Sequence, residues 1–110
     1  MDVLKNELET LTDLMKDQEC YVKYQELLNR IKNDSELYEK LNEYRKKNVE
    51  LHYNRQTLKD EARLERQYHD FLEEELIHNF LFWEQETLKM LRIIYREISG
   101  ALTLDYGFLS

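Results

Sequence analysis

The stretch LIHNFLFWEQETLKMLRIIYREIS, residues 76–99, decides the fold class of this chain. Its apolar residues recur every three or four positions, which is the spacing of one face of an α-helix. A helix that is apolar over so much of its circumference lies at the centre of a bundle or at an oligomer interface. The stripe consists of Leu76, Phe80, Trp83, Thr87, Met90, Leu91, Ile94 and Ile98, and it is widened by Ile77, Leu81, Leu88 and Tyr95.

The composition of the 110 residues indicates the same class. Proline is absent, and the two glycines are Gly100 and Gly107, so no strong helix breaker precedes residue 100. We therefore expect an all-α fold, an antiparallel helical hairpin or bundle of about four to five helices. Because a thin hairpin of this size buries little surface by itself, we expect the long helices to form the core of an oligomer.

Four shorter apolar stripes precede the last helix. The first three predict three helices, and the fourth either begins a new helix after residues 54–57 or continues the third one. The turn between the second and third stripes contains the turn and N-cap residues Asn33, Asp34 and Ser35, and Asn33 and Glu36 are spaced as in a capping box. The Glu74–Glu75 step is a further candidate break that the periodicity leaves open. The four stripes are Leu4, Leu8, Leu11 and Met15; Tyr21, Tyr24, Leu28 and Ile31; Leu37, Leu41, Tyr44, Asn48 and Leu51; and Leu58, Ala62, Leu64, Tyr68, Phe71 and Leu72.

Self-association is expected to use the last helix and the third helix, as a homo-oligomer that is a dimer or a tetramer. On the last helix Trp83 lies on the stripe, whereas Phe82 lies nearly a third of a turn away. The residues predicted at the interface, or in a shared core beneath it, are Leu76, Phe80, Trp83, Met90, Leu91 and Ile94, together with Leu37, Leu41, Tyr44 and Leu51.

One pair of residues has the spacing of a metal site. Glu75 and His78 stand one helical turn apart, as in the Glu-x-x-His motifs of di-metal helix bundles. Such a bundle needs a second motif and two further inward carboxylates, and neither His52 nor His69 has a Glu three residues before it. A metal-dependent helical-bundle enzyme is therefore the alternative hypothesis, and we expect no bound metal or other cofactor.

The net charge of −7 argues against direct nucleic-acid binding, which usually leaves a basic footprint. Two basic rows keep an RNA-associated accessory role as a further alternative. No apolar run approaches the ~20 residues of a membrane span, and the start of the chain lacks the apolar core of a signal peptide. With one cysteine, Cys20, we expect a cytoplasmic protein without an internal disulfide. The rows are Arg55, Lys59, Arg63 and Arg66, and Lys89, Arg92 and Arg96.

Three stretches, in order, resemble one family, the YlbF/YmcA group of small bacterial regulators, which includes YheA-like proteins. They are ECYVKYQELLNRIKNDSELYEKLNEYRKK (19–47), LKDEARLERQYHDFLE (58–73) and LIHNFLFWEQETLKMLRIIYREIS (76–99). Members commonly have Asn-Pro at the start of the last helix, where this chain has Glu74-Glu75. The resemblance implies one helical domain over residues 1–100, followed by a tail, 101–110.

The resemblance also implies a non-enzymatic regulator that acts by protein–protein contacts. Such proteins oligomerise through their long helices and are linked to competence, sporulation and biofilm formation. Some join related regulators in a complex that guides ribonuclease Y in messenger RNA processing. Some also share an iron–sulfur cluster in that complex, but Cys20 alone cannot supply four thiolates, so this feature is not transferred here.

Overall fold

The computed structural model describes residues 1–53, 58–103, 105 and 107–109. Over these ranges the chain forms six α-helices and a short 3-10 turn, with no β-strand. The all-α prediction is confirmed, with six helices in place of four to five, while the oligomer core stays a prediction. The elements are α1 (Asp2–Lys16), α2 (Glu19–Lys32), α3 (Ser35–Tyr53), α4 (Leu58–Gln67), α5 (His69–Glu73), α6 (Glu75–Ala101) and the 3-10 turn Gly107–Leu109.

The turn between α2 and α3 is stabilised by Asp34. Its carboxylate accepts a hydrogen bond from the backbone N–H of Leu37 at 3.2 Å, which satisfies one of the free donors at the start of α3. The predicted capping residue, Asn33, instead ends α2, and its N–H donates to the carbonyl of Asn29 at 3.3 Å. The cap is therefore Asp34, one of the three candidate residues of this turn, and lies one residue after the Asn33 of the predicted capping box.

The chain breaks before the last helix, at the Glu74–Glu75 step that the periodicity left open. Glu74 is extended, with φ −60° and ψ 131°, and its carbonyl accepts the N–H of His78 at 2.8 Å to begin α6. A second interruption, at Tyr68, was not predicted. Tyr68 separates α4 from α5 with φ −107° and ψ 16°. The other candidate break, residues 54–57, lies outside the described residues.

The core forms where α2 and α6 pack antiparallel and where α3, α4 and α5 close over one end of that pair. At one end of the pair Cys20 contacts Met90, and further along the ring of Tyr24 stacks on that of Phe80 with 5.4 Å between ring centres. Tyr68 is the centre of the other half, with its ring 5.3 Å from that of Tyr44. The buried apolar residues are Leu27, Ile31, Leu41, Leu64, Tyr68, Phe71, Ile77 and Phe80.

The molecule is thin and extended. Its Cα radius of gyration is 17.9 Å, whereas a compact domain of this length has about 13 Å. Its shortest dimension is 18 Å, which leaves room for two helices, each ~10 Å across with side chains. The accessible surface is 9225 Å², against roughly 6,600 Å² for a compact monomer of this mass. Large parts of several helices are therefore uncovered.

Among the described residues, no helix is both long enough and apolar enough to cross a membrane.

Replacing Phe80 with Ala is expected to lower the free energy of unfolding by about 3–5 kcal/mol, because the ring is fully buried and a cavity would remain. Phe82 is 52% exposed on the same helix, so Phe82→Ala should cost less than ~1 kcal/mol. Urea denaturation of the two variants at equal protein concentration measures the difference. Equal losses of stability would contradict this assignment of the buried face of α6.

Candidate interaction surface

The second half of α6 presents an apolar face to solvent. Leu88, Leu91, Tyr95 and Ile98 follow one another at helical spacing, and between 41% and 74% of each is exposed. We call these four residues the α6 stripe. A shallow groove along it is lined by Leu88, Leu91, Arg92, Tyr95, Arg96 and Ser99.

A second uncovered apolar face lies on α1, which contains no buried residue. The predicted stripe of Leu4, Leu8, Leu11 and Met15, called the α1 stripe below, begins in solvent, with Leu4 63% and Leu8 57% exposed. Leu11 and Met15, near the end of α1, are half-buried. Met15 also borders a small groove of about 180 Å³ where α1, α2 and α6 meet.

The residues predicted at the subunit interface divide into three groups. Phe80 and Leu41 are fully buried inside the single chain. Leu91 is exposed and belongs to the α6 stripe. The remaining predicted residues are half-buried, namely Leu76, Trp83, Met90, Ile94, Leu37, Tyr44 and Leu51. Their participation in an interface between copies stays a prediction.

The candidate metal pair lies outside the core. Glu75 and His78 are both exposed on the first turn of α6, whereas a di-metal bundle directs its ligands inward. Among the described residues, no three His, Cys, Asp or Glu side chains are grouped as metal ligands. The geometry provides two solvated groups on one helical turn.

The remaining candidate groups have ordinary packing or surface roles. Cys20 is half-buried, and its Sγ lies 3.8 Å from Sδ of Met90. In the first basic row, Arg63 lies 4.0 Å from the carboxylate of Asp60 on the same helix, and Arg55 lies outside the described residues. The second row, Lys89, Arg92 and Arg96, is exposed and runs beside the α6 stripe.

An ion pair that the sequence analysis missed connects α3 to α6. Nη2 of Arg45 lies 2.8 Å from Oε2 of Glu84, whose side chain is only 14% exposed. The guanidinium carbon of Arg45 is also 5.6 Å from the centre of the Phe80 ring. Burial raises the pKa of Glu84, while the charge and hydrogen bond of Arg45 oppose that increase. Glu84 stands four residues after Phe80, on the same face of α6, and this position was the sequence signal for a carboxylate with a partner.

A second polar cluster connects α3 to the Tyr68 turn. The hydroxyl of Tyr68 donates a hydrogen bond of 2.7 Å to Oε1 of Glu43, and Nζ of Lys47 donates to the same oxygen at 3.1 Å. The hydrogen bond from Tyr68, followed by that from Lys47 and its charge, lowers the pKa of Glu43. The buried Tyr68 therefore has a partner for its hydroxyl, and its pKa is raised, mainly by burial.

Comparison with known proteins gives one match. The model of the family described as Com_YlbF, control of competence regulator ComK, YlbF/YmcA, matches residues 4–103. Neither a curated protein nor a solved structure matches the chain. The matched range contains all three stretches on which the resemblance depends, from α1 to just beyond the end of α6.

Replacing Arg45 with Met should destabilise the fold by about 1–3 kcal/mol at neutral pH, because the buried Glu84 carboxylate loses its charged partner. The folded-state pKa of Glu84 is raised, so the cost of burying its charge is present above that pKa. As the pH falls below the pKa of Glu84, the carboxyl becomes neutral. The loss of unfolding free energy in Arg45→Met should then become smaller.

Thermal or urea unfolding at several pH values between neutrality and acid measures that dependence. The matched control is Arg63→Met, which removes the exposed, longer pair with Asp60 and should change stability by less than ~0.5 kcal/mol. A deficit for Arg45→Met that stays constant or grows on acidification would contradict the role assigned to Glu84.

Proposed function

This chain belongs to the YlbF/YmcA family of regulators of the competence regulator ComK, and on that premise we propose a non-enzymatic adaptor mechanism. In this proposal the protein acts in the cytoplasm, associates with itself and binds other regulatory proteins. The observation that carries the proposal is the uncovered α6 stripe, on the longest helix that the structure describes.

The α6 stripe has the features of a protein-binding surface. Contiguous apolar side chains on a soluble chain mark contact sites, especially where polar groups border them. Leu88 and Leu91 supply aliphatic area, and Tyr95 supplies an aromatic ring with a hydroxyl that tolerates water. Arg92 and Arg96 border the same groove and favour a partner whose contact surface carries acidic residues.

A more specific proposal concerns messenger RNA processing. We propose that this chain joins a complex of related regulators that assists ribonuclease Y, as the family resemblance implies. The overall charge of −7 supports contact with the protein components of such a complex rather than with the RNA. The basic row beside the α6 stripe contributes three cations, and Glu97 follows it directly.

The metal-enzyme alternative receives less support from the geometry. Glu75 and His78 are solvated, and the part of the chain that the structure describes holds no third ligand grouped with them. A mechanism built on this pair would need both side chains for function. The adaptor mechanism needs neither, so one set of variants separates the two hypotheses.

Substituting the α6 stripe should abolish regulation without unfolding the protein. In a bacterium that lacks its own copy, the wild-type chain should restore ComK-dependent reporter expression, and the double variant Leu88→Ser/Tyr95→Ser should not. Both side chains are substantially exposed, so the melting temperature of that variant should stay within a few degrees of wild type. The control, Glu75→Ala/His78→Ala, should restore expression fully.

The reverse pattern, with the stripe variant active and the Glu75/His78 variant inactive, would overturn the adaptor proposal in favour of the metal site. Transcript mapping in the same strains tests the proposed role in ribonuclease Y-dependent processing. The wild-type chain should restore cleavage of a ribonuclease Y-dependent messenger RNA, and the stripe variant should not. Restored reporter expression with no change in cleavage would remove ribonuclease Y from the proposal.

A further inference from the structure

The first ten residues of the chain form an arm that stands away from the rest of the molecule. Residues 2–10 of α1 are all exposed, whereas the end of the helix touches the body through Leu11, Thr12 and Met15. Leu4 lies about 16 Å along the helix axis from Met15, at the rise of an α-helix. The leucines of the arm therefore make almost no contribution to the core of their own chain.

The last turn of α1, at the base of the arm, is closed by local hydrogen bonds. The backbone N–H groups of Asp17 and Gln18 donate to the carbonyls of Leu14 and Met15 at 3.2 and 3.1 Å. The side-chain amide of Gln18 donates to the carbonyl of Leu14 at 3.2 Å. These bonds close the last turn of α1, and half-buried Met15 anchors it, so the arm presents Leu4 and Leu8 in a preorganised way.

From these contacts we propose that Leu4 and Leu8, the exposed half of the α1 stripe of one copy, dock on the α6 stripe of a second copy, and the reverse. The inference rests on the proposed function, because it names the partner in self-association. In reciprocal docking, α1 of each copy lies against the α6 stripe of the other copy. The two contacts are related by a twofold axis, which gives a closed dimer. The exposed leucines of the arm and the α6 stripe are then both covered.

Charge selects this pairing over its alternatives. α1 carries Asp2, Glu7, Glu9 and Asp13 against two lysines, a net charge of −2. Residues 88–101 of α6 carry three basic residues and one acidic residue, a net charge of +2. An α1–α1 or α6–α6 contact would bring like charges together, whereas the α1–α6 contact brings opposite charges together.

The same charges argue against a lipid surface as the occupant. Helices that lie on membranes usually carry lysine and arginine on their polar face, and α1 is acidic. An anionic bilayer would repel it. A basic and apolar helix is the chemistry that fits the arm, and the chain itself contains one.

The exposed area is sufficient for a stable dimer. The surface of 9225 Å² exceeds that of a compact monomer by roughly 2,600 Å². A standard interface needs about 800 Å² from each partner. Burial of both stripes therefore falls within what this chain exposes in excess.

Light scattering after size-exclusion chromatography tests the proposal. The wild-type chain should be a dimer, and Leu4→Ser/Leu8→Ser should be a monomer that still folds, because both leucines are exposed in the single chain. Its melting temperature should not depend on protein concentration, whereas that of the wild-type dimer should. We expect its dimer dissociation constant to rise at least ~100-fold, since each substitution is present twice in a symmetric dimer. A Leu4/Leu8 variant that stays dimeric would overturn the inference.

A mixing experiment separates this pairing from contact between two α6 helices. Leu4→Ser/Leu8→Ser keeps an intact α6 stripe, and Leu88→Ser/Tyr95→Ser keeps an intact arm. Each variant alone should be monomeric, and the equimolar mixture should form a 1:1 complex held by the one contact that survives. The complex has one α1–α6 contact where the wild-type dimer has two, so the mixture must be tested at higher protein concentration. If no complex forms there, reciprocal docking is refuted.

Charge reversal provides a third experiment. Glu7 flanks the α1 stripe, so Glu7→Arg should weaken the dimer at least ~10-fold, and Arg92→Glu in the same chain should restore it. Asp13 makes the same change of charge on the opposite side of α1, about 170° from the stripe, so Asp13→Arg should have little effect. Equal effects of Glu7→Arg and Asp13→Arg would count against the docking geometry.

The outcomes distinguish this inference from the function on which it rests. If the wild-type chain is a monomer, both the exchange and the self-association in the proposed function fail. If the wild-type chain is a dimer and the Leu4/Leu8 variant stays dimeric, the exchange alone fails, and the adaptor proposal is judged separately by the ComK reporter.

Discussion

The packing of the Phe80 ring is the interaction on which the rest of the structure depends. On one side the ring stacks against Tyr24 of α2, and the Arg45 guanidinium of α3 lies 5.6 Å from its centre. Arg45 then pairs with Glu84, one turn further along α6. Three helices thus meet at one aromatic side chain. The short turn at Asp17 and Gln18 joins α1 to α2, and the hydrogen bond from Tyr68 to Glu43 connects the Tyr68 cluster to α3.

A core built in this way is small, and it leaves apolar helix faces exposed to solvent. A molecule only 18 Å thick covers each helix on few sides, so the apolar faces of α1 and of the second half of α6 stay in water. In the proposed dimer those faces become buried. Because binding of a partner stabilises the folded state by mass action, stability should then depend on protein concentration.

The sequence predicted what periodicity can encode. The absence of proline and the apolar spacing of residues 76–99 predicted an all-α fold, and α6 runs from Glu75 to Ala101. Periodicity did not predict the break at Tyr68, where the side chain makes a tertiary hydrogen bond to Glu43, because spacing along one helix does not encode contacts with another helix. In α2 it favoured Leu28, whereas Leu27 is buried and Leu28 half-buried, because the wide apolar face leaves its exact centre undefined. For the Arg45–Glu84 pair, the position of Glu84 four residues after Phe80 was a signal for the carboxylate alone. Its partner Arg45 lies on a different helix, so the spacing along the chain did not identify it.

The charge pattern of the two stripes bears on how such a protein could exchange partners. The α6 stripe has the same apolar and basic character whether a second copy or another protein occupies it. A related regulator with an acidic, amphipathic first helix would satisfy the same complementarity as the arm of this chain. The second copy and such a partner would therefore compete for one surface, so that forming a heteromeric complex requires no new site. Under this arrangement, the ratio of the related proteins sets which complex forms, and the self-associated form is a reservoir from which the regulatory complex is drawn.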